Sequence, residues 1–535
     1  MTAKERMAIP PQPMPEQDPL VRARNMEEVA LGYTAEMAKK EASRCLNCPA
    51  KPCVAGCPVK IRIPDFLAAA ADGDFAKALA IIRESSLLPA VCGRVCPQEK
   101  QCQKFCTVGK MFKDVAKAVA IGRVERFCAD CAAAKSRAGE EDSRPLLNKE
   151  FSNSSAPKRV AVIGSGPAGI TCAADCARAG LKVTLFEAFH KPGGVLVYGI
   201  PEFRLPKRIV ANEIENLKAM GVEVVTDFVV GRTMKLSDML ASSGGAVGVR
   251  SLPTFDASGG AVGVRALPTF DASGGAAGVR SLPTFDASGG AAGVRALPAF
   301  DAVFIGTGAG LPKFMDIEGE NLIGVFSANE YLTRANLMKA YPGSDADTPF
   351  WHGKKVAVLG GGNVAMDAAR MALRLGADEV HLIYRRSEKE MPARAEEVAH
   401  AKAEGVVFHT LENAKRILGD ERGRVAAIEC LRYELGEPDA SGRRSPVEIR
   451  GSEFTFPVDT VVVAVGNGSN PLIAATTPDL AIDRKGHIVV DEETMMTSIP
   501  GVFAGGDIVL GAATVILAMG EGRKAAQGIV KFLGK

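Results

Sequence analysis

Hydrophobic positions in the first 135 residues recur with a helical period, in short stretches broken by cysteines. Asn25 to Lys40, Ile63 to Ser85 and Asp114 to Cys131 read as helices. From Arg159 the pattern changes. Arg159-Val-Ala-Val-Ile163 is a continuous apolar run, which marks a strand buried on both faces. A glycine turn, a helix from Gly169 to Ala179 and a second strand, Lys182-Val-Thr-Leu-Phe186, follow it. The same order returns with the strand Lys355-Val-Ala-Val-Leu359, a helix from Val364 to Leu375 and the strand Glu379-Val-His-Leu-Ile383. The expected fold is α/β: two doubly wound dinucleotide-binding domains preceded by an α-helical domain. The polar stretch Lys135 to Lys158 reads as the linker between them.

One segment fits neither pattern. Ser243-Gly-Gly-Ala-Val-Gly-Val-Arg-Ser-Leu-Pro-Thr-Phe-Asp-Ala257 recurs, nearly unchanged, from Ser258, Ser273 and Ser288. Each copy carries one Arg and one Asp, and is rich in Gly and Pro. A solenoid would need more apolar surface per unit than Val, Leu and Phe offer here. Residues 243–299 are expected to be an inserted, poorly ordered surface loop that leaves function unchanged.

Length and charge narrow the class. A chain of 535 residues exceeds one core and calls for two to four domains. With 65 basic against 62 acidic residues, its net charge of +3 argues against nucleic acid or an acidic membrane surface as partner. The N-terminus lacks the apolar run of a signal peptide, and no stretch reaches the roughly 18 apolar residues of a spanning helix. The expected location is cytoplasmic, where thirteen cysteines favour metal binding or redox chemistry over disulfides.

The glycine turns point to nucleotides. In Gly164-Ser165-Gly166-Pro167-Ala168-Gly169 the first glycine makes the tight turn and the second admits a pyrophosphate. The third lets helix and strand pack closely, and the helix N-terminus faces the phosphate charge. Glu187 ends the next strand, 23 residues after Gly164, where its carboxylate suits a ribose diol. The second turn runs Gly360, Gly362, Asn363, Val364 and Ala365, and Arg385 takes the place that Glu187 holds in the first unit, with Arg386 next. A guanidinium there favours a 2′-phosphate. The first site is therefore expected to hold FAD and the second NADPH.

Eight cysteines lie within the first 106 residues, at 45, 48, 53 and 57, then at 92, 96, 102 and 106. Thiolates bind both zinc and iron. No histidine lies within the array, the first being His190, and Cys57-Pro58 and Cys96-Pro97 carry a ferredoxin-like cue. Beside a flavin domain, iron–sulfur is the better reading. Cys128 and Cys131 form a further Cys-x2-Cys pair, at a helix end outside both nucleotide units, and read as inert. Cys172 and Cys176, four apart on the helix after the first turn, look structural, and Cys430 stands alone.

Several motifs together carry a resemblance. They are Met7-Ala-Ile-Pro10, Pro13-Met-Pro-Glu-Gln-Asp-Pro19, Arg44-Cys-Leu-Asn-Cys48, Val91-Cys-Gly-Arg-Val-Cys-Pro97, Gly193-Gly-Val-Leu-Val-Tyr-Gly-Ile-Pro-Glu-Phe-Arg-Leu-Pro206, and Tyr384-Arg-Arg386 with Met391-Pro392. The chain resembles the NADPH-dependent glutamate synthase small (β) subunit family. That family includes the large subunit of NADH-dependent ferredoxin:NADP+ oxidoreductase and the α subunit of sulfide dehydrogenase. The N-terminal half of dihydropyrimidine dehydrogenase is similar, and the resemblance spares only residues 243–299.

The resemblance implies two [4Fe-4S] clusters with interleaved ligands. Cys45, Cys48, Cys53 and Cys106 would bind one; Cys57, Cys96, Cys102 and Glu125, in Ile121-Gly-Arg-Val-Glu-Arg-Phe127, the other. A plainer alternative makes Cys92 the fourth ligand and Glu125 a solvated helix residue. The resemblance also places Gly193, Gly194, Leu196, Gly308, Gly506, Asp507 and Thr514 among the flavin contacts, Gly506-Asp507 being like the second FAD motif of two-dinucleotide flavoproteins. The implied domains are 1–150 for the clusters, 156–325 and 465–535 for FAD, and 326–464 for NADPH. The implied reaction passes electrons between NADP(H), FAD and the clusters to or from a partner. That partner would be a glutamate synthase large subunit, a ferredoxin- or NAD-linked small subunit, ferredoxin itself, or a sulfide acceptor. No side-chain nucleophile or base is needed. Glutamine hydrolysis would need its own activated nucleophile, and the chain begins Met1-Thr2 without an N-terminal Cys.

Overall fold

In the computed structural model, helices occupy Ala35–Ala42, Ile63–Ala71, Phe75–Arg83, Pro89–Val95 and Ile121–Arg137 of the N-terminal region. The structure describes residues 1–137, 158–240, 299–341, 343, 344, 346, 352–440 and 442–535, and the backbone of 281–285 and 291–296. The expected linker lies almost wholly outside the described residues. So does most of the repeat, but Ser281–Phe285 and Ala291–Ala296, in its third and fourth copies, pair as an antiparallel hairpin.

Helical spacing explains the N-terminal packing. Ile63, Phe66, Leu67 and Ala70 form one buried stripe, and Pro64 sits in the first turn, where its missing N–H is not needed. Asp74 caps Phe75–Arg83 by accepting from the Lys77 amide at 2.9 Å. In Ile121–Arg137 the buried stripe is Ile121, Val124, Glu125 and Cys128. A carboxylate therefore stands in core register. The first cysteine loop is pinned by Arg44, which is buried, pairs with Glu41 at 2.5 Å and donates to the carbonyls of Lys117 and Ala118.

Each nucleotide unit is a five-stranded parallel sheet. The first runs Val502–Ala504, Ala302–Ile305, Arg159–Ile163, Lys182–Phe186, Glu223–Val225, so the chain returns from its C-terminal segment to complete it. The second runs Val407–Thr410, Glu379–Tyr384, Lys355–Leu359, Thr460–Val463, Val325–Ser327. Its faces alternate with period two. Val356, Val358, Leu382 and Val462 pack on helices, including Asn363–Arg374. Ala357, Leu359, Ile383, Val461 and Val463 pack on Ala414, Ile417, Val425 and Ile428. The last four belong to an antiparallel sheet built from Glu412–Gly419, Val425–Pro438, Arg444–Glu448 and Phe454–Pro457. This sheet, absent from the sequence reading, takes the place of the helices on that face.

Two contacts join the units. One hydrophobic core is continuous from the N-terminal helices, through Cys57, Cys92 and Cys96, to the helices Pro167–Arg178 and Val515–Phe532 of the first nucleotide unit. A buried ion network ties the N-terminal segment to the second unit. Glu404 pairs with Arg22 at 3.0 Å, Arg370 at 2.7 Å and Arg374 at 2.7 Å. Arg370 also pairs with Glu397, and Arg204 with Glu397 and Asp367. Phe203 lies under the guanidinium of Arg374, 3.8 Å from its ring centre. Phe203 and Arg204 of the Gly193–Pro206 motif thus lock the first unit onto the second.

Replacing Glu404 by Ala leaves three guanidinium groups without their shared carboxylate. The expected loss is about 3–5 kcal/mol of stability, read by chemical denaturation. The network is also acid-labile. Against the upward push of burial, Arg204 and Arg370 hold the Glu397 carboxyl at about 2, and Arg370 and Arg374 hold Glu404 below the usual range. Both folded-state values lie below the unfolded ones, so the stabilisation is complete above about pH 4.5 and fades as pH falls toward 2.

Candidate functional site: two glycine turns and a divided cysteine array

The first glycine turn is built as a cradle. Gly164 has φ +97°, and a Cβ there would lie 2.5 Å from the Gly306 carbonyl oxygen. A Cβ on Gly169 would lie 1.9 Å from the Gly164 carbonyl oxygen, so the helix Pro167–Arg178 can pack on the turn only through glycine. Around Gly166 the result is the opposite: nothing lies within 4 Å of an added Cβ. That open space before a helix N-terminus fits a pyrophosphate. Glu187 is buried and accepts from the amides of Ser165 (3.1 Å) and Phe189 (2.9 Å), while the Ser165 hydroxyl binds both Glu187 and the Gly193 amide. Its carboxylate is thus held at the rim of the turn.

Other residues converge on this cradle. Gly194 approaches Gly166, Leu196 is buried, and Gly308 adopts φ +71° beside the buried Thr307 hydroxyl, which has no hydrogen-bond partner among the described residues. Gly506 has φ +83° and abuts Ala168. Burial raises the neighbouring Asp507 carboxyl to about 6. Thr514 caps the last helix. Glu521, which the sequence reading missed, accepts from the Gly506 amide at 2.6 Å; only its place on the folded helix reveals it.

The second turn repeats the geometry. Gly360 faces the Ala464 carbonyl, the space around Gly362 is open and Ala365 is fully buried. The Asn363 side chain accepts from the Arg394 amide at 2.9 Å, and Val364 is exposed. The two arginines part company. Arg386 is buried, donating to the Arg444 carbonyl at 2.8 Å and pairing with Asp439 at 2.7 Å. Arg385 is exposed and, among the described residues, has neither hydrogen bond nor ion pair. Arg385 is thus available to a phosphate, whereas Arg386 ties the strand end to the antiparallel sheet.

The cysteines divide into two groups. Cys45, Cys48, Cys53 and Cys106 line one small apolar cavity with Leu46, Pro52, Ile63, Pro64, Leu67 and Val108. Burial, then the nearby Cys45 and Cys106, pushes the Cys53 thiol up to about 12. The second group is more deeply buried. Cys102 is raised by burial, then by Cys57 and Glu125. Cys57 is raised chiefly by burial, with Glu125 and Cys92 close by. The neighbouring Cys92, then burial, raise the Cys96 thiol well above its usual value, with Glu125 and Cys102 adding to the effect. Glu125 itself is 6% exposed, its Oε1 has no hydrogen-bond partner among the described residues, and burial alone raises its carboxyl to about 8. Cys92 reaches the first nucleotide unit, its Sγ 3.5 Å from the Met519 Sδ.

Spacing bears on the metal. Four thiolates around one zinc at Zn–S of about 2.3 Å would stand ~3.8 Å apart. Among the described residues the three-ligand set closer than 4.8 Å is Glu16, Glu396 and His400; the thiols are more widely spread. Wider thiols and an unpartnered buried carboxylate fit a polynuclear cluster. Of the remaining cysteines, Cys128 is fully buried and raised by burial to about 12, a poor nucleophile. Cys172, Cys176 and Cys430 are buried in the cores.

Comparison with known proteins accords with this geometry. Residues 22–137 match the family model described as dihydropyrimidine dehydrogenase domain II, 4Fe-4S cluster. Residues 284–522 match pyridine nucleotide-disulphide oxidoreductase, and 159–211 match FAD dependent oxidoreductase. The solved structure of Mycobacterium tuberculosis FprA in complex with NADPH is 18% identical and superposes with a TM-score of 0.50 over 71% of this chain and 85% of that one, a likeness of fold. Fold and site define a two-dinucleotide-domain oxidoreductase joined to an iron–sulfur domain.

The glutamate synthase (NADPH) small chain of Escherichia coli is 33% identical over 97% of this chain and 96% of its own length, and the chain belongs to that family. The NADP(+)-dependent formate dehydrogenase subunit beta of Moorella thermoacetica is 37% identical over 90% of this chain. The NADPH-Fe(3+) oxidoreductase subunit beta of Geobacter sulfurreducens is 33% identical, also over 90%. The chain spans only 60% and 63% of those two proteins. Among the described residues no helix is long and apolar enough to cross a membrane.

Proposed function

We propose that the chain is the NADPH-linked electron-transfer subunit of a larger enzyme, carrying reducing equivalents between NADP(H), FAD and two [4Fe-4S] clusters to or from a partner chain. When bound, FAD exchanges hydride with the nicotinamide and single electrons with the clusters. The polypeptide binds, orients and insulates. Gly164, Gly166 and Gly169 shape the FAD pyrophosphate seat, and Glu187 takes the ribose. Gly360, Gly362 and Arg385 receive NADPH. Cys45, Cys48, Cys53 and Cys106 hold the outer cluster; Cys57, Cys96, Cys102 and Glu125 hold the inner one. Glu125 supplies an oxygen ligand in a dry site, and proton release from it and the thiols would accompany loading.

The observation that supports this reading most is the 3.5 Å contact of the Cys92 Sγ with the Met519 Sδ, on the helix that closes the flavin turn. It sets the inner group against the flavin unit through one core. The test is anaerobic addition of NADPH to the purified chain. Bleaching of the flavin followed by paramagnetic signals of reduced clusters is expected, without glutamate formation from glutamine and 2-oxoglutarate. Flavin bleaching with no cluster reduction would overturn the relay.

The nucleotide preference has its own test. Arg385→Ala is expected to weaken 2′,5′-ADP binding about 10- to 100-fold and leave AMP binding unchanged, by calorimetry. Arg386→Ala should instead lower stability, because its partners are Asp439 and the Arg444 carbonyl.

A further inference from the structure

The outer cysteine group lies near the surface, and the surface beside it combines exposed apolar side chains with an excess of lysines. Three of its four thiols, Cys45, Cys48 and Cys53, are only half-buried and Cys106 is buried, whereas Cys57, Cys96 and Cys102 are all buried. Residues 104–117 rim the outer group. Thr107 touches the Cys48 Sγ at 3.1 Å, and a Cβ on Gly56, in the first cysteine loop, would strike the Phe105 ring. Phe105, Met111, Phe112 and Val115 are exposed there, by 37–57%. Between them stand Lys104, Lys110, Lys113 and Lys117, all exposed. The single acid in the stretch, Asp114, is used as a cap for the Ala116 amide. Among the described residues none of the four lysines pairs with a carboxylate. Two lie over aromatic faces instead, Lys110 over Phe105 and Lys117 over Phe112. Four cations against one acid is a local excess in a chain that is otherwise balanced.

We propose that residues 104–117 are the docking surface for an acidic protein that carries a one-electron iron–sulfur centre ringed by carboxylates. Unpaired lysines steer such a partner and the exposed rings give it an apolar seat, next to the outer thiols, where an electron has the least protein to cross. This rests on the reading of the outer cysteines as a cluster site.

The test uses the holoprotein, an acidic plant-type [2Fe-2S] ferredoxin as probe, and the variant Lys110→Glu/Lys113→Glu/Lys117→Glu. At low salt the variant should reduce the ferredoxin about tenfold or more slowly, with a flatter dependence on ionic strength. Carbodiimide cross-linking of the ferredoxin to the chain should be lost with it. NADPH bleaching of the flavin and the cluster signals should stay as in the unaltered chain, which also shows that the variant is folded. Phe112→Ala keeps the charges and should lower the cross-link yield without flattening the salt dependence. Equal ferredoxin rates in the two chains would overturn the proposal. So would binding to phosphatidylserine vesicles that the triple variant loses while its ferredoxin rate is unchanged. Clusters that NADPH leaves oxidised in the unaltered chain would instead refute the electron-transfer reading, whatever the variants do.

Discussion

A chain carrying Cys102→Ala, purified without oxygen, is expected to hold about four iron atoms where the unaltered chain holds about eight. Cys102 lies near enough to Cys57 and Glu125 to feel their charge, and its loss leaves too few ligands for the proposed inner cluster while the outer four thiols stay intact. Flavin content and NADPH bleaching should persist, because neither glycine turn is touched. Electron delivery beyond the flavin should fall by orders of magnitude. The same assay separates the two candidates for the fourth ligand. Glu125→Ala should lose the inner cluster as Cys102→Ala does, whereas Cys92→Ala should keep it. An intact iron count in Glu125→Ala, with loss in Cys92→Ala, would reverse the assignment. Glu125→Gln retains an oxygen donor without the charge, so its cluster should load with a shifted midpoint potential.

The second large effect separates two glycines of one motif. Gly169→Ala would place a methyl group 1.9 Å from the Gly164 carbonyl oxygen, a collision of backbone with side chain that only displacement of the turn relieves. The expected product is destabilised by about 1–3 kcal/mol or more and is isolated without flavin. Gly166→Ala meets nothing within 4 Å, and its φ of −68° suits any residue. That variant should fold with unchanged stability as apoprotein and lose FAD affinity about 10- to 100-fold, because the methyl group occupies the pyrophosphate's space. Fluorescence titration with FAD, set beside thermal melts of the apoproteins, reads both. Equal behaviour of the two variants would contradict the cradle.

The buried cations around Phe203 give the run Gly193–Pro206 a meaning that its letters do not carry. As sequence it is a glycine-rich stretch ending in Pro-Glu-Phe-Arg-Leu-Pro. Folded, Phe203 supports Arg374, Arg204 reaches Asp367 and Glu397, and the Phe203 carbonyl accepts from the Val29 amide at 2.9 Å. It is a joint between both nucleotide units and the N-terminal segment.

Local chemistry was enough for much of the site. Tight glycine turns, apolar strands buried on both faces and paired cysteines obey short-range rules, so two nucleotide turns and a thiol array could be read in order along the chain. Even Glu125 had a local sign, since its spacing from Ile121, Val124 and Cys128 puts a carboxylate on a buried stripe. Long-range choices had no such sign. Which thiols group together, that Arg386 is tied to Asp439 while Arg385 is exposed, that an antiparallel sheet replaces helices on one face, and that Met519 meets Cys92 all depend on contacts far apart in the chain. Those contacts are decided by how whole elements bury their apolar faces together, a condition that no window of neighbouring residues contains.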